Sequence, residues 1–101
     1  MQTNNLSSLS FIDDLELPNI KEIWMKGNKL NEFYPLSKYK TLNLINLRGN
    51  CIKNIDELNS FIAKFNQLKE IDIKDNNIDF NDKKNENFIS EVKKKIKINY
   101  L

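Results

Sequence analysis

The sequence has no histidine, one cysteine and no long apolar run, and each shortage excludes a class of function. Without histidine the chain lacks the commonest general base and the commonest metal ligand, and no glycine-rich loop or metal-spaced acidic cluster replaces it. Cys51 has no second cysteine with which to form an internal disulfide. The apolar runs are far shorter than a membrane span requires. We therefore expect a protein that is not an enzyme, with no metal, no cofactor and no membrane partner.

Length and charge narrow the class further. The chain of 101 residues, with 40% apolar and 30% charged residues, is suited to one folded domain. A net charge of +2 is too small to indicate a nucleic-acid partner by itself. Residues 1–5 are polar and lack the basic-then-apolar pattern of a signal peptide. Together with the lone cysteine, this favours an intracellular location, cytoplasmic or alternatively nuclear.

One phrase occurs three times at matching offsets. The copies are Ile20-x-x-Ile23-x-Met25-x-x-Asn28-x-Leu30, Leu42-x-x-Ile45-x-Leu47-x-x-Asn50-x-Ile52 and Leu68-x-x-Ile71-x-Ile73-x-x-Asn76-x-Ile78. Their asparagines are 22 and 26 residues apart. Self-similarity of this kind predicts stacked coils of chain rather than one irregular core. Such stacks present extended surfaces rather than catalytic pockets.

Each phrase predicts its own local structure. The alternation of apolar and polar residues before each asparagine is typical of a short strand with one buried face. Asn28, Asn50 and Asn76 would stand at the same position of successive turns. A carboxamide both donates and accepts, so we expect these side chains to form a ladder that satisfies backbone groups left over by the strands.

The segments between the phrases predict three different connections. A three-residue apolar period at Phe33, Leu36 and Tyr39 predicts a 3₁₀ turn or an irregular arc. The second connection predicts a helix whose apolar face comprises Leu58, Phe61, Ile62 and Phe65, with Asp56 at its N-cap or in its first turn. The third predicts a helix whose apolar face comprises Phe88, Ile89 and Val92.

The two ends of the chain resemble incomplete copies of the repeat. We assign one domain over 1–101, with a partial coil or cap at 1–19, three repeats at 20–80, and a helix with a capping strand at 81–101. The upstream partial coil rests on Asn4, Leu6, Leu9 and Ile12. The final strand is expected over Ile96 to Tyr100, with Ile96 and Ile98 in the apolar strand positions and Leu101 at the asparagine position.

The repeated phrase resembles the leucine-rich repeat consensus L-x-x-L-x-L-x-x-N-x-L. Its 22-residue coil is similar to the short intracellular class that includes phosphatase-regulatory proteins and a leucine-rich-repeat dynein light chain. The resemblance implies an α/β fold, namely a right-handed solenoid. A short parallel sheet would form its concave side, and helices or 3₁₀ arcs its convex side. It also implies that a protein partner binds the concave side.

The strand positions that face away from the core supply the candidate site. The proposed protein-binding residues are Trp24, Lys26, Leu44, Asn46, Arg48, Asp72 and Lys74. Tryptophan and arginine are enriched among interface hot spots, so Trp24 with Leu44 beside it is the expected anchor. The alternative is that Trp24 covers the first edge of the sheet, or packs under the segment Leu6 to Leu17. Lys97 is expected in the row of Trp24, and Lys95 in the row of Glu22.

The charges on this face and at the C-terminus indicate the partner. Lys26, Arg48 and Lys74 form a like-charged row, which points to a protein with an acidic surface, although Glu22 and Glu70 could neutralise the two lysines diagonally. The alternative function is a ribonucleoprotein or nucleic-acid-associated subunit that uses a C-terminal lysine patch. That patch comprises Lys83, Lys84, Lys93, Lys94, Lys95 and Lys97. A solvated helix face explains the patch better. Pairing of the sheet edges with another copy would give a homo-oligomer.

Overall fold

Four short strands form one parallel sheet whose order follows the chain. The computed structural model describes residue 12, residues 15–27 and residues 33–101. Its strands are β1 (Glu22–Trp24), β2 (Leu44–Asn46), β3 (Glu70–Asp72) and β4 (Lys97–Asn99), in the order β1-β2-β3-β4. The central residue of each strand is buried, as the alternation predicted. The protein is therefore an α/β domain with a parallel sheet.

The first three strands have the register that the repeated phrase predicted. Ile23 pairs with Ile45, and Ile45 pairs with Ile71. These three side chains are fully buried, so each copy of the phrase contributes an equivalent side chain to one core. Burial of each such side chain stabilises the fold by about 1.5–3 kcal/mol before the entropy of ordering the chain is subtracted.

The fourth strand corrects the sequence-based register by two residues. Ile98, not Ile96, is the partner of Ile71, and Lys97 pairs with Glu70. Lys95 precedes the strand, and Leu101 does not reach the asparagine position. The cause is the preceding helix, because the N–H groups of Lys95 and Ile96 still donate to the carbonyl of Val92 at 2.9 and 3.0 Å. The backbone becomes available for sheet pairing only after this helix end.

The connection between β1 and β2 contains a 3₁₀ helix, Tyr34–Lys38, as its apolar period predicted. A 3₁₀ helix has three residues per turn, so side chains three apart lie on one side. Phe33, Leu36 and Tyr39 are accordingly buried. The hydroxyl of Tyr39 also donates to the carbonyl of Leu15 at 2.9 Å, which attaches the segment before β1 to this arc.

The other two connections contain the α-helices. Helix α1, Ile55–Ile62, begins at Asn54, whose side chain accepts the N–H of Glu57 at 3.1 Å. Asp56 is therefore the first-turn acid and not the N-cap. Helix α2, Lys83–Lys93, has Asp82 as its N-cap. Its buried side chains are the three predicted, Phe88, Ile89 and Val92.

An aromatic cluster fills the space beneath α1. Leu58 and Phe61 are buried within the helix, and Ile62 is half-buried. The helix is shorter than predicted, since Phe65 lies beyond its end but still packs into the core. Phe61 contacts Phe33 and Phe65 edge-to-face, with ring centroids 4.9 and 5.0 Å apart. This cluster links the 3₁₀ helix to α1 and joins neighbouring connections into one core.

The asparagine ladder is confirmed for the second and third copies. The Asn50 amide donates to the carbonyls of Met25 and Leu47, at 3.0 and 2.9 Å. The Asn76 amide donates to the carbonyls of Leu47 and Ile73, at 2.9 and 3.0 Å. Each asparagine thus joins the end of its own strand to the end of the preceding strand. Asn4, Leu6, Leu9, Asn28 and Leu30, on which other predictions rest, lie outside the described residues.

The residue before each repeat asparagine has a left-handed backbone. The φ angles are 76° at Gly27, 72° at Gly49 and 58° at Asp75. Glycine adopts this conformation without steric cost, and aspartate tolerates it better than most residues. The turn that follows each of these three strands therefore has the same left-handed residue in all three copies, even though the third copy lacks glycine.

In the described part of the chain, no helix is long and apolar enough to cross a membrane.

Candidate binding face of the sheet

The outward positions of the strands form rows across the sheet. One row consists of Glu22, Leu44, Glu70 and Lys97, and the next of Trp24, Asn46, Asp72 and Asn99. Lys97 therefore belongs to the row of Glu22, not to the row of Trp24 as the sequence predicted. Asn99 occupies the position in the row of Trp24 that was predicted for Lys97. Lys26, Arg48 and Lys74 follow the ends of β1, β2 and β3, at equivalent positions.

Trp24 projects from the first strand, and 37% of its surface is exposed. Its indole N–H donates to the carboxylate of Glu22 at 3.2 Å, so the ring is oriented along the strand. Leu44 is half-buried on the neighbouring strand, diagonally beside it. An exposed tryptophan next to an aliphatic side chain is a large apolar contact area on an otherwise polar face.

Asn46 and Asp72 have a backbone role that the sequence interpretation missed. The side-chain oxygen of Asn46 accepts the N–H of Arg48, and that of Asp72 accepts the N–H of Lys74, both at 3.0 Å. Such Asx turns fix the chain where it leaves a strand. The sequence signal for these turns was an Asn or Asp two residues before Arg48 and Lys74. Trp24 stands at the same position of β1 and has no side-chain oxygen for this role.

The basic row is neutralised differently from the sequence expectation. Arg48 Nη2 lies 3.3 Å from Asp72 Oδ2, which makes an ion pair between β3 and the turn after β2. The carboxylate of Glu70 instead accepts the amide of Asn99 at 3.0 Å. The side chains of Arg48 and Asp72 are 30% and 14% exposed, so the pair is only partly screened by solvent. Asp72 thereby holds the guanidinium over the middle of the sheet.

These side chains surround a shallow concavity of about 240 Å³. It is lined by Trp24, Lys26, Leu44, Ile45, Asn46, Arg48, Glu70 and Asp72. The structure thus brings together six of the seven residues proposed from the sequence. Lys74 is the seventh and does not line the concavity. We call this concavity the Trp24 groove. It is large enough for one side chain of a partner and too open to enclose a small molecule.

Several of the C-terminal lysines contact other side chains of the protein. Lys84 pairs with Asp56 at 2.7 Å, and Lys94 pairs with Glu91 at 3.2 Å. The hydrogen bond to Asp56 and the charge of that carboxylate raise the pKa of Lys84. Lys93 lies over the ring of Tyr100, 5.1 Å from its centroid. Three of the six lysines therefore have partners within the protein.

The groove is lined by aromatic, aliphatic, amide and charged side chains. Among residue 12 and residues 15–27 and 33–101, no group of three histidine, cysteine or acidic side chains could hold a metal ion. Cys51 is a free thiol, half-buried. Comparison of the sequence with protein-family models and with curated proteins finds no match.

Proposed function

We propose that this chain is a small leucine-rich-repeat domain that binds another protein through the Trp24 groove and the sheet face around it. The observation that carries the proposal is the exposure of Trp24 beside Leu44 and Arg48 on that face. Tryptophan and arginine are the residues that most often dominate the energy of protein interfaces. The domain acts by binding and not by catalysis.

The repeat assignment is part of the proposal. Three copies of one phrase, strands in chain order and an asparagine ladder support a right-handed solenoid with the sheet on its concave side. The 3₁₀ helix and the two α-helices would then form the convex side. The lone cysteine fits a module that works in a reducing compartment, cytosol or nucleus.

The composition of the face supports a protein partner. The apolar side chains of Trp24 and Leu44 line the groove together with charged groups of both signs. Interfaces that form and dissociate share this arrangement of a desolvated anchor within a polar rim. Of the charged side chains on the face, Arg48 already has its acidic partner in Asp72, which holds it in a fixed position for contact. A side chain held in place loses less entropy on binding.

Affinity capture from the native cell lysate tests the proposal. The wild-type domain would be compared with Trp24→Ala and Arg48→Glu, and with Tyr34→Ala as the matched control. Tyr34 is also an exposed aromatic residue, 55% exposed, but it lies on the 3₁₀ helix rather than on the sheet. We expect a true partner to be retained by the Tyr34 variant and lost from both face variants. Equal retention by all four proteins would remove the sheet face as the binding site.

The same experiment addresses the alternative, a nucleic-acid-associated subunit. Lys83, Lys95 and Lys97 are exposed and remain the candidates for phosphate contacts. If RNA is retained, the amount bound should fall steeply with added salt and should not change in the Trp24→Ala variant.

Light scattering after size exclusion tests the further expectation of a homo-oligomer. Among the described residues, β1 and β4 each pair with one strand only, so each has an edge available for another copy.

A further inference from the structure

Arg48 has more hydrogen-bond donors than the protein uses. A guanidinium group carries five N–H donors. Within the described ranges, the side chain of Arg48 makes one polar contact, to Asp72 at 3.3 Å. Its Nε atom is buried and has no hydrogen-bond partner among those residues. Buried donors without acceptors are uncommon in folded proteins, so the fold leaves this guanidinium group incompletely satisfied. The side chain as a whole is 30% exposed, so an acceptor from outside can reach the rest of the group.

The groups next to Arg48 define what that acceptor could be. Asn46 lines the same groove, and its carboxamide oxygen is already occupied by the N–H of Arg48. In the part of the chain that is described, the amide NH₂ of Asn46 donates to no protein atom. Trp24 and Leu44 also line the groove and supply its apolar surface. The groove thus combines unused N–H donors with an apolar surface.

We infer that the Trp24 groove receives an aspartate or glutamate side chain of the protein partner, an inference that rests on the proposed function. The carboxylate accepts N–H groups of Arg48 and Asn46, and the methylene groups lie against Trp24. A planar carboxylate matches the fork of a guanidinium group. Lys26, which lines the groove, adds positive charge. Asp72 cancels part of that charge, which favours a singly charged carboxylate over a phosphate.

The chain carries its own reporters for a test. Arg48 is its one arginine and Trp24 its one tryptophan. The Nε–H of Arg48 and the indole N–H of Trp24 therefore each give a single identifiable peak in a ¹H–¹⁵N spectrum. N-acetylglutamate N-methylamide would be titrated into the intact chain at constant ionic strength, and the glutamine analogue would serve as the neutral control. We expect both peaks to shift saturably, with a Kd at least about tenfold lower for the glutamate probe.

Variants locate the contact. Arg48→Lys keeps the positive charge but removes the planar fork, so the Kd of the glutamate probe, followed on the Trp24 peak, should rise about tenfold. Lys53→Gln is the control, since Lys53 is exposed and does not line the groove. That variant should bind as the wild type does. The dispersion of the amide peaks reports whether each variant is folded, and the comparison of glutamate with glutamine needs no variant.

Three results would overturn the inference. The first is that neither peak moves saturably with the glutamate probe. The second is that the glutamate and glutamine probes bind equally. The third is that inorganic phosphate binds more tightly than either, which would indicate a nucleic-acid or phosphoprotein ligand instead. If a captured partner still depends on Trp24, these results remove the carboxylate alone and leave the proposed function standing.

Discussion

Replacement of Asn76 by alanine tests the asparagine ladder, which connects the turns after neighbouring strands. The Asn76 amide donates to the carbonyls of Leu47 and Ile73, at 2.9 and 3.0 Å. Its oxygen accepts the N–H of Ile52 at 3.0 Å. The amide also donates to the carbonyl of Lys74, at 3.3 Å. The substitution removes all four hydrogen bonds.

The expected magnitude follows from what happens to each partner. The carbonyl of Leu47 keeps a donor, because Asn50 also donates to it at 2.9 Å. The N–H of Ile52 and the carbonyl of Ile73 lose the Asn76 side chain as their hydrogen-bond partner. An unsatisfied buried group costs about 1–3 kcal/mol, and partial access of water to this site reduces the cost. We therefore expect Asn76→Ala to lower the free energy of unfolding by about 2–3 kcal/mol.

Urea and thermal unfolding, followed by circular dichroism, measure this loss. For a domain of about 100 residues, 2–3 kcal/mol corresponds to a fall in Tm of about 10–20 °C. Asn77→Ala is the matched control. The side chain of Asn77 is exposed, so its loss should change stability by less than about 0.5 kcal/mol. If both variants unfold at the same urea concentration, the ladder does not stabilise the fold as we argue.

The remaining predictions concern a turn, the core and pH. Gly49→Ala should lower the free energy of unfolding by about 1–2 kcal/mol, because alanine would have to adopt a φ of 72°. Space is not the cause, since an added Cβ would lie at an ordinary 3.5 Å from Gly27. An unchanged urea midpoint would contradict this prediction. Phe61→Ala should lower the free energy of unfolding by about 3–5 kcal/mol in the same assay, because Phe61 contacts two other rings of the aromatic cluster. A loss of stability no larger than that of a substitution at an exposed site would refute this central position. Burial, and secondarily the negative charge of Glu16, raise the pKa of Tyr39 above its ordinary 10.0, so the folded state holds this proton more tightly than the unfolded chain does. The resulting stability is present below pH 10.0 and is lost as the pH rises through the folded-state pKa. Wild type should therefore lose stability more steeply than Tyr39→Phe above that pH, and parallel unfolding curves of the two proteins would count against it.

Local patterns predicted most of the fold because the interactions that build it are local or repeat at a fixed interval. A strand residue such as Ile45 is paired with its counterparts in the neighbouring strands, so matching positions in the repeated phrase become matching positions in the sheet. Polar capping of α1 was less predictable, since Asn54 and Asp56 are both competent N-caps. The choice of Asn54 depends on where the preceding turn ends.

The sequence predicted which residues lie on the binding face, but not which of their side chains pair with one another. Alternation placed Trp24, Leu44 and Arg48 on the outward face, and all three line the same groove. Sequence spacing allowed diagonal pairing of Glu22 with Lys26 and of Glu70 with Lys74. It did not indicate the ion pair that joins Arg48 to Asp72. Long side chains reach several neighbours, and rotamer packing selects among them.

The sequence by itself determined the parallel sheet, the order of its first three strands and the ladder of Asn50 and Asn76. These features depend on a period of two residues and on a phrase repeated at nearly constant spacing, and both can be read along the chain. Only the tertiary structure decided the register of β4 and the partner of Arg48. The first depends on how many residues α2 uses before its last hydrogen bond at Ile96. The second depends on competition among neighbouring carboxylates, which sequence distance does not rank.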